Sequence, residues 1–212
     1  MSGRILAVDT TGERGSIALV ADGALIEEVA LDSTDGFAHV LFGAIEGLLA
    51  SHSLNVRDID VFASASGPGS FTGVRVGLTA VKGLAEAAGR KVIAVSNLQA
   101  LAWFGTRPLR ATVLDARRGE IFGAVYDSAL RTICEETVTK LDAWLATLPA
   151  GEMEFITAGY DAPFPGPVMQ APRLLAGAIG RIAADRIEAA QDPSAIDANY
   201  VRRSDAELLW KE

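Results

Sequence analysis

Apolar residues along this chain follow two rhythms, and turn signals mark where one gives way to the other. Arg4 to Asp9 (RILAVD), Ser16 to Ala21 and Leu25 to Leu31 are short apolar runs. The polar stretch Thr10 to Arg14 parts the first two, and Asp22-Gly23, a strong hairpin signal, parts the second and third. They predict an antiparallel meander. From Phe37 to Ala50 the spacing changes: Phe37, Val40, Leu41, Ala44, Ile45, Leu48 and Leu49 share one helical face. Val61 to Ala63 is again a strand. It runs into the glycine-rich loop Gly67-Pro68-Gly69-Ser70-Phe71-Thr72-Gly73, and a helix follows on which Val74, Leu78, Val81 and Ala85 line up. Lys91 to Val95 closes the first half as a strand. A second cycle begins after Pro108: strands at Ala111 to Asp115, Glu120 to Tyr126 and Thr132 to Val138, a helix over Leu141 to Leu148, and a strand at Glu154 to Thr157. A proline-marked loop then leads to a long helix at Leu174 to Ala190.

The order β-β-β-α-β-α is thus read twice, the second time in reduced form. Alternation of strand and helix late in the first half implies parallel strands with crossover helices. Two lobes of this type, 1–104 and 105–212 with the boundary near Trp103 to Pro108, are the pattern of the actin-like, sugar-kinase and Hsp70 ATPase superfamily. Such a fold says nothing by itself about activity.

Small residues add a second pattern. Gly73, Gly77 and Ala80 form a stripe with almost no side chain, and Gly43 and Gly47 lie opposite the apolar face of the first helix, with Ala50 below them. Each interior helical glycine costs about 1 kcal/mol relative to alanine. Close approach of another backbone is the reason the spacing offers, and solvent-tolerated glycine is the alternative.

Composition narrows the class. Half of the 212 residues are hydrophobic and 22% are charged, with a net charge of −8. A protein that grips nucleic acid by itself usually carries the opposite sign, so a stand-alone RNA-binding module is disfavoured. The single cysteine, Cys134, rules out an internal disulfide and reads as a reactive thiol or a small buried hydrophobe. MSGRILAVD has no signal-peptide pattern and no segment has the length of a membrane helix, which predicts a soluble cytoplasmic protein.

The glycine loop fails three phosphate and nucleophile templates. No Lys follows Gly73 as a Walker loop requires; Thr72 stands where a dinucleotide fingerprint has its third Gly; Pro68 replaces the first Gly of a nucleophile elbow. A tight strand-to-helix turn remains, capped by Ser70 or Thr72. Metal chemistry finds little either. The two histidines, His39 and His52, are roughly 220° apart on any shared helix, and no H-E-x-x-H exists, so the metalloprotease (peptidase M22-like) reading lacks ligands. His39 reads as a helix-face residue and His52 as sitting near a helix C-terminus. Asp9, Thr10 and Thr11 at the first turn, with Asp115 at the equivalent second turn, read either as a nucleotide cleft or as ordinary turn residues.

The segment GPGSFTGVRVG, with its small-residue helix, resembles the signature of the TsaB (YeaZ) family; LAVDTT and LDARRGE resemble the corresponding segments. The likeness is strongest over Gly67 to Gly89, good over Ile5 to Leu19 and Thr112 to Tyr126, and weak after Leu148. It implies a non-catalytic partner of TsaD in the complex that makes threonylcarbamoyladenosine beside the anticodon of ANN-decoding tRNA. TsaE, an ATPase, is the third partner implied. ATP or ADP and metal are expected on TsaD and TsaE and no cofactor on this chain; tRNA is reached through the complex. Dimerisation with TsaD, or with a second copy in isolation, maps onto Phe37, Val40, Gly43, Gly47, Ala50, Gly73, Val74, Gly77, Ala80 and Val81. The signature loop is Gly67, Pro68, Gly69, Ser70, Phe71, Thr72 and Arg75; Asp9, Thr10, Thr11 and Asp115 become a degenerate nucleotide cleft. Gly77→Leu is then expected to abolish pairing while the monomer stays folded. One departure stands out: family members often carry His followed by Ser or Thr before the first helix, where this chain has Asp35-Gly36-Phe37-Ala38. Asn199-Tyr200-Val201-Arg202-Arg203 resembles a Tyr-Leu-Arg-type tail that either faces a partner or packs back on the body. Trp210 reads as a docking anchor. The competing function is an active ATPase or small-molecule kinase that uses Asp9, Thr10 and Asp115.

Overall fold

The structure, a computed structural model, describes residues 3–202. Arg203 and Trp210 lie outside the described residues. Strand β1 (Arg4–Asp9) forms the middle of a five-stranded sheet. It pairs antiparallel with β2 (Gly15–Ala21), which turns through Asp22 and Gly23, both at positive φ, into β3 (Ala24–Leu31). On its other side β1 runs parallel to β4 (Val61–Ala65), and β4 parallel to β5 (Lys91–Val95). The order is β3-β2-β1-β4-β5. Both faces of β1 are covered. Leu6 and Val8 meet the helices α1 (Leu41–Ser51) and α2 (Phe71–Ala88), while Ile5 and Ala7 face the interior shared with the second sheet. That is why this strand reads as a continuous apolar run rather than an alternating one.

The second sheet repeats the order. Strands β6 (Leu109–Arg117), β7 (Glu120–Asp127), β8 (Thr132–Thr139), β9 (Met153–Thr157) and β10 (Val168–Gln170) are arranged β10-β9-β6-β7-β8, the same sequence of pairings read from the other edge. The chain is therefore an α/β protein of two like sheets, as its reading as an actin-like duplication requires.

Helices cross between the two. Helix α3 (Asn97–Ala102) follows β5 yet packs against β6 and β7, and α5 (Ala176–Asp185), from the second half, lies across β1 and β2. Gly180 permits that crossing: a Cβ there would stand 2.7 Å from Val20. The first sheet also caps α5. Ala176 N donates to Ser16 Oγ at 3.1 Å and Gly177 N to Glu28 Oε1 at 3.0 Å. These bonds serve two of the four N–H groups that a helix start leaves without partners. The central core draws Ile5, Ala63 and Ile93 from one sheet and Ala124, Tyr126 and Ile156 from the other.

Five elements depart from the sequence pattern. The first helix begins at Leu41, not Phe37, because Val40 N and Leu41 N both bond the Phe37 carbonyl and make a turn. Phe37 is buried all the same, with its ring against Gly15, so its apolar position looked helical. The last helix is only Ala176–Asp185; a single 3₁₀ turn at Ile187–Ala189 takes up the rest of the predicted span. Helix α3 and strand β10 have six and three residues, too few for a periodic signal. The fourth helix, α4 (Leu141–Leu145), likewise stops short of Leu148.

Candidate functional site

Two concavities meet at the N-terminal end of α2. One is a cleft of about 1210 Å³ between the sheets; the other is an open groove of about 630 Å³ between α1 and α2.

The cleft floor is built from the first turn. Asp9 is buried at the end of β1, and its Oδ1 accepts from Thr11 N at 2.9 Å and from the Thr11 hydroxyl at 2.6 Å. Asn97, the first residue of α3, donates from Nδ2 to Thr11 Oγ1 at 2.7 Å and accepts from Gly67 N at 3.1 Å. Burial pushes the Asp9 carboxyl above the usual carboxylate range; the bonds from Thr11 and Asn97 oppose that, and the charge of Glu28 adds to it. Thr10, also buried, donates its hydroxyl to the Gly73 carbonyl at 2.6 Å. At the second turn Asp115 Oδ1 accepts from Arg117 N at 2.7 Å. Arg117 in turn reaches across the cleft mouth to Glu13 at 2.7 Å, and its guanidinium holds the Glu13 carboxyl below the usual range. Three of the four predicted cleft residues, Asp9, Thr11 and Asp115, line one cavity, while Thr10 turns into the body. Each is engaged by its own chain.

The glycine loop is fastened to this turn. Ser70 N donates to the Thr11 carbonyl at 2.8 Å, and Ser70 Oγ caps α2 by accepting from Gly73 N at 3.3 Å. A Cβ on Gly69 would lie 2.8 Å from Thr11, one on Gly73 2.0 Å from the Thr10 carbonyl oxygen, and one on Gly77 2.7 Å from Thr10 Oγ1. The small stripe of α2 therefore admits the chain's own first turn. This corrects the expectation that Gly73 and Gly77 make room for a partner helix. Leucine at Gly77 would strike Thr10 and Ser64 inside the lobe, so a folded monomer is not the expected result. Val74, Ala80 and Val81 belong to the core as well, although Ala80 also reaches the groove floor. Phe37 is buried and Val40 half-buried.

On α1 the expectation fares differently. Gly43, Gly47 and Ala50 are exposed, and among the described residues a Cβ on either glycine would meet nothing within 4 Å. None of the three lines the groove, whose walls include Leu41, Phe42, Phe71, Val76, Gly83 and Leu84. Phe42 is 54% exposed and Phe71 45%. Phe42, Val76, Gly83 and Leu84 were not singled out from the sequence. A signal existed: Phe42 is a large apolar residue off the buried stripe of its helix. Of the signature loop, Phe71, Thr72 and Arg75 line the groove, while Gly67 and Pro68 are buried, Pro68 at the cleft wall.

The C-terminal segment packs back on the body. Asn199 N donates to the Ser66 carbonyl at 2.8 Å, and Arg75 Nε donates to the Tyr200 hydroxyl at 2.9 Å. His39 lies near Ser33, and His52, the C-cap of α1, sits 2.7 Å from Glu27. Cys134 is half-buried on β8. Among the described residues no helix is long and apolar enough to cross a membrane.

Comparison with known proteins gives the same outline. Residues 32–197 match the family described as TsaD: tRNA N6-adenosine threonylcarbamoyltransferase. The tRNA threonylcarbamoyladenosine biosynthesis protein TsaB of Bacillus subtilis is 27% identical over 98% of both chains. TsaB of Escherichia coli is 37% identical over 58% of this chain and 54% of its own. YeaZ from Pseudomonas aeruginosa superposes with a TM-score of 0.80 at 24% identity, over 93% of this chain and 99% of that one. A crystal structure of an uncharacterized protein with similarity to that peptidase YeaZ also gives 0.80, at 26% identity, over 94% and 100%. Taken with the glycine loop, its first turn and the duplicated sheet, these likenesses mean that the chain belongs to the TsaB (YeaZ) family.

Proposed function

We propose that this chain is a non-catalytic subunit of a tRNA threonylcarbamoyladenosine complex, and that it acts by docking a TsaD-family chain on the groove between α1 and α2. The observation that carries this reading is the groove itself. Two phenylalanines, Phe42 and Phe71, stand about half exposed on neighbouring helices and line the same groove. A contiguous apolar patch on a small soluble protein usually marks an interface. The occupant is argued from kinship. Since residues 32–197 match the TsaD family, a TsaD chain carries its own version of this helix pair, and two like apolar faces pack about a pseudo-twofold axis. A second copy of this chain is the alternative occupant and the basis of a homodimer in isolation.

The cleft supports the non-catalytic half of the reading. Asp9, Thr10 and Asp115, the residues a kinase or ATPase of this fold needs free, already hold Thr11, Gly73 and Arg117 of the same chain. The competing enzyme reading calls for Mg-ATP binding that Asp9→Ala weakens; calorimetry tests it directly, and absence of heat favours the scaffold. The net charge of −8 is in keeping with tRNA reached through the complex, and the reaction belongs in the cytoplasm with TsaE as third subunit.

The decisive experiment is co-purification with the TsaD- and TsaE-family chains of the same source, then a tRNA modification assay with and without this chain. Gly83→Leu fills the groove where none of the described residues lies within 4 Å of a Cβ, so the monomer should stay folded while pairing and modification fall together. Unchanged pairing would falsify the docking assignment.

A further inference from the structure

The C-terminal segment does more than fill a surface. It fastens to the first lobe at three places: Val92 and Gln191 exchange backbone bonds at 2.9 Å, Lys82 Nζ donates to the Ile196 carbonyl at 2.6 Å, and Asn199 N reaches Ser66. It then crosses to the second. Asn199 Nδ2 donates to Glu136 Oε2 at 2.6 Å, and Arg202 pairs with Glu120, its guanidinium 5.8 Å from the Phe122 ring. Between the two sets of anchors stands Tyr200.

Tyr200 lines the cleft and not the groove. Its two partners line both. Phe71, the first residue of α2, stacks on the Tyr200 ring at 5.4 Å and 31°. Arg75, one helical turn on, lays its guanidinium 3.9 Å over the Phe71 ring and donates to the Tyr200 hydroxyl. Ring stack, cation–π contact and hydrogen bond close a triangle, and each side restricts the other two. The end wall of the groove is therefore held from behind, through a residue that a partner in the groove need not touch.

We infer that Tyr200 is a positioning residue for docking: it presets the Phe71 and Arg75 side chains in the conformation that the groove's occupant meets, so that the C-terminal segment controls affinity at the α1–α2 face. This rests on the docking reading given above. Preset side chains save the ordering entropy that association otherwise costs for each immobilised side chain. Two such residues make an effect of about tenfold.

The test measures affinity of full-length variants for the TsaD-family chain by calorimetry, with melting temperature alongside. Tyr200 is 47% exposed, so its truncation leaves the cores intact. Tyr200→Ala should weaken pairing about tenfold, and Tyr200→Phe, which keeps the stack and loses only the bond from Arg75, about two- to threefold. Arg202→Ala cuts the far anchor and should change affinity less than threefold. Phe42→Asp, within the groove, is the control for docking itself. If Phe42→Asp abolishes pairing while Tyr200→Ala leaves it within twofold, the inference is overturned and docking stands. If Arg202→Ala weakens pairing as much as Tyr200→Ala, the segment acts by clamping the lobes and the assignment to Tyr200 is wrong. If Phe42→Asp pairs normally, the docking reading fails and this inference with it.

Discussion

Gly73→Ala is the sharpest probe of what the glycines of α2 are for. A methyl at Gly73 stands 2.0 Å from the Thr10 carbonyl oxygen and 3.2 Å from Thr11 Cα. Non-bonded heavy atoms settle near about 3.5–4.0 Å, so α2 or the first turn must move by more than an ångström. Backbone lies on both sides, so no side chain can swing away. Overpacking of this kind costs about 1–3 kcal/mol. The shift also breaks the buried bond from Thr10 Oγ1 to the Gly73 carbonyl, which is worth about another 1–3 kcal/mol when a buried group is left unpaired. Helix propensity returns about 1 kcal/mol to alanine. The net is a loss of about 3 kcal/mol. For a chain of this length the melting temperature should fall by about 6–12 °C. Gly43→Ala is the matched contrast. Nothing lies within 4 Å, so propensity acts alone, and the melting temperature should rise by about 2–4 °C. Differential scanning calorimetry of the two variants, followed by titration with the TsaD-family chain, reads both effects. A Gly73→Ala protein that melts normally and fails to pair would refute the intrachain role and restore Gly73 to the interface.

Three further outcomes follow from buried polar side chains. Asp9→Asn keeps an acceptor oxygen for Thr11 and Asn97 and removes the buried charge. Because burial raises the Asp9 pKa in the folded chain, its ionised form costs stability at neutral pH and that cost fades as pH drops toward the ordinary carboxylate value. The variant should therefore melt higher than wild type at pH 7, with the difference vanishing near pH 4; a lower melting temperature at pH 7 would show that the charge holds something. Asn97→Ala removes the link from α3 to Thr11 and Gly67 N and should destabilise by about 1–3 kcal/mol, measured as a shift in the denaturation midpoint at unchanged slope. Glu154→Ala strips the buried carboxylate that accepts from Thr106 N and Arg107 N, and the same assay should register a loss of about 2–4 kcal/mol; less than 1 kcal/mol would mean that water replaces it.

Much of the fold was legible along the chain. Apolar runs at Ile5–Val8 and Ile17–Val20 and the Asp22-Gly23 turn placed strands and a hairpin, because strand and turn chemistry acts over a few residues. Helix α2 was legible as well, through its stripe Val74, Leu78, Val81, Ala85 and its Ser70 cap. Short elements were not. Helix α3 carries Asn97, which ties Asp9, Thr11 and Gly67 together, yet six residues hold less than two turns and no period can be read from them. Phe37 shows the converse: burial at helical spacing without helical backbone.

By itself the sequence determined the duplicated strand–helix order, the glycine loop with its family likeness, and a surface charge unsuited to gripping RNA alone. Only the tertiary structure decided which glycines face inward. Small residues on α1 and α2 look alike as letters, since glycine records that something comes close and not what. Gly73 and Gly77 answer to Thr10, 63 and 67 residues away, and Gly43, Gly47 and Gly83 to open space. The glycine-loop helix that first drew attention as a partner face turns out to have two sides. One is sewn to its own first turn, and the other, with Phe71 and Arg75 braced by Tyr200, looks out on the groove. Contacts across such distances along the chain are set by how the sheets stack and the helices cross, and no local pattern encodes them.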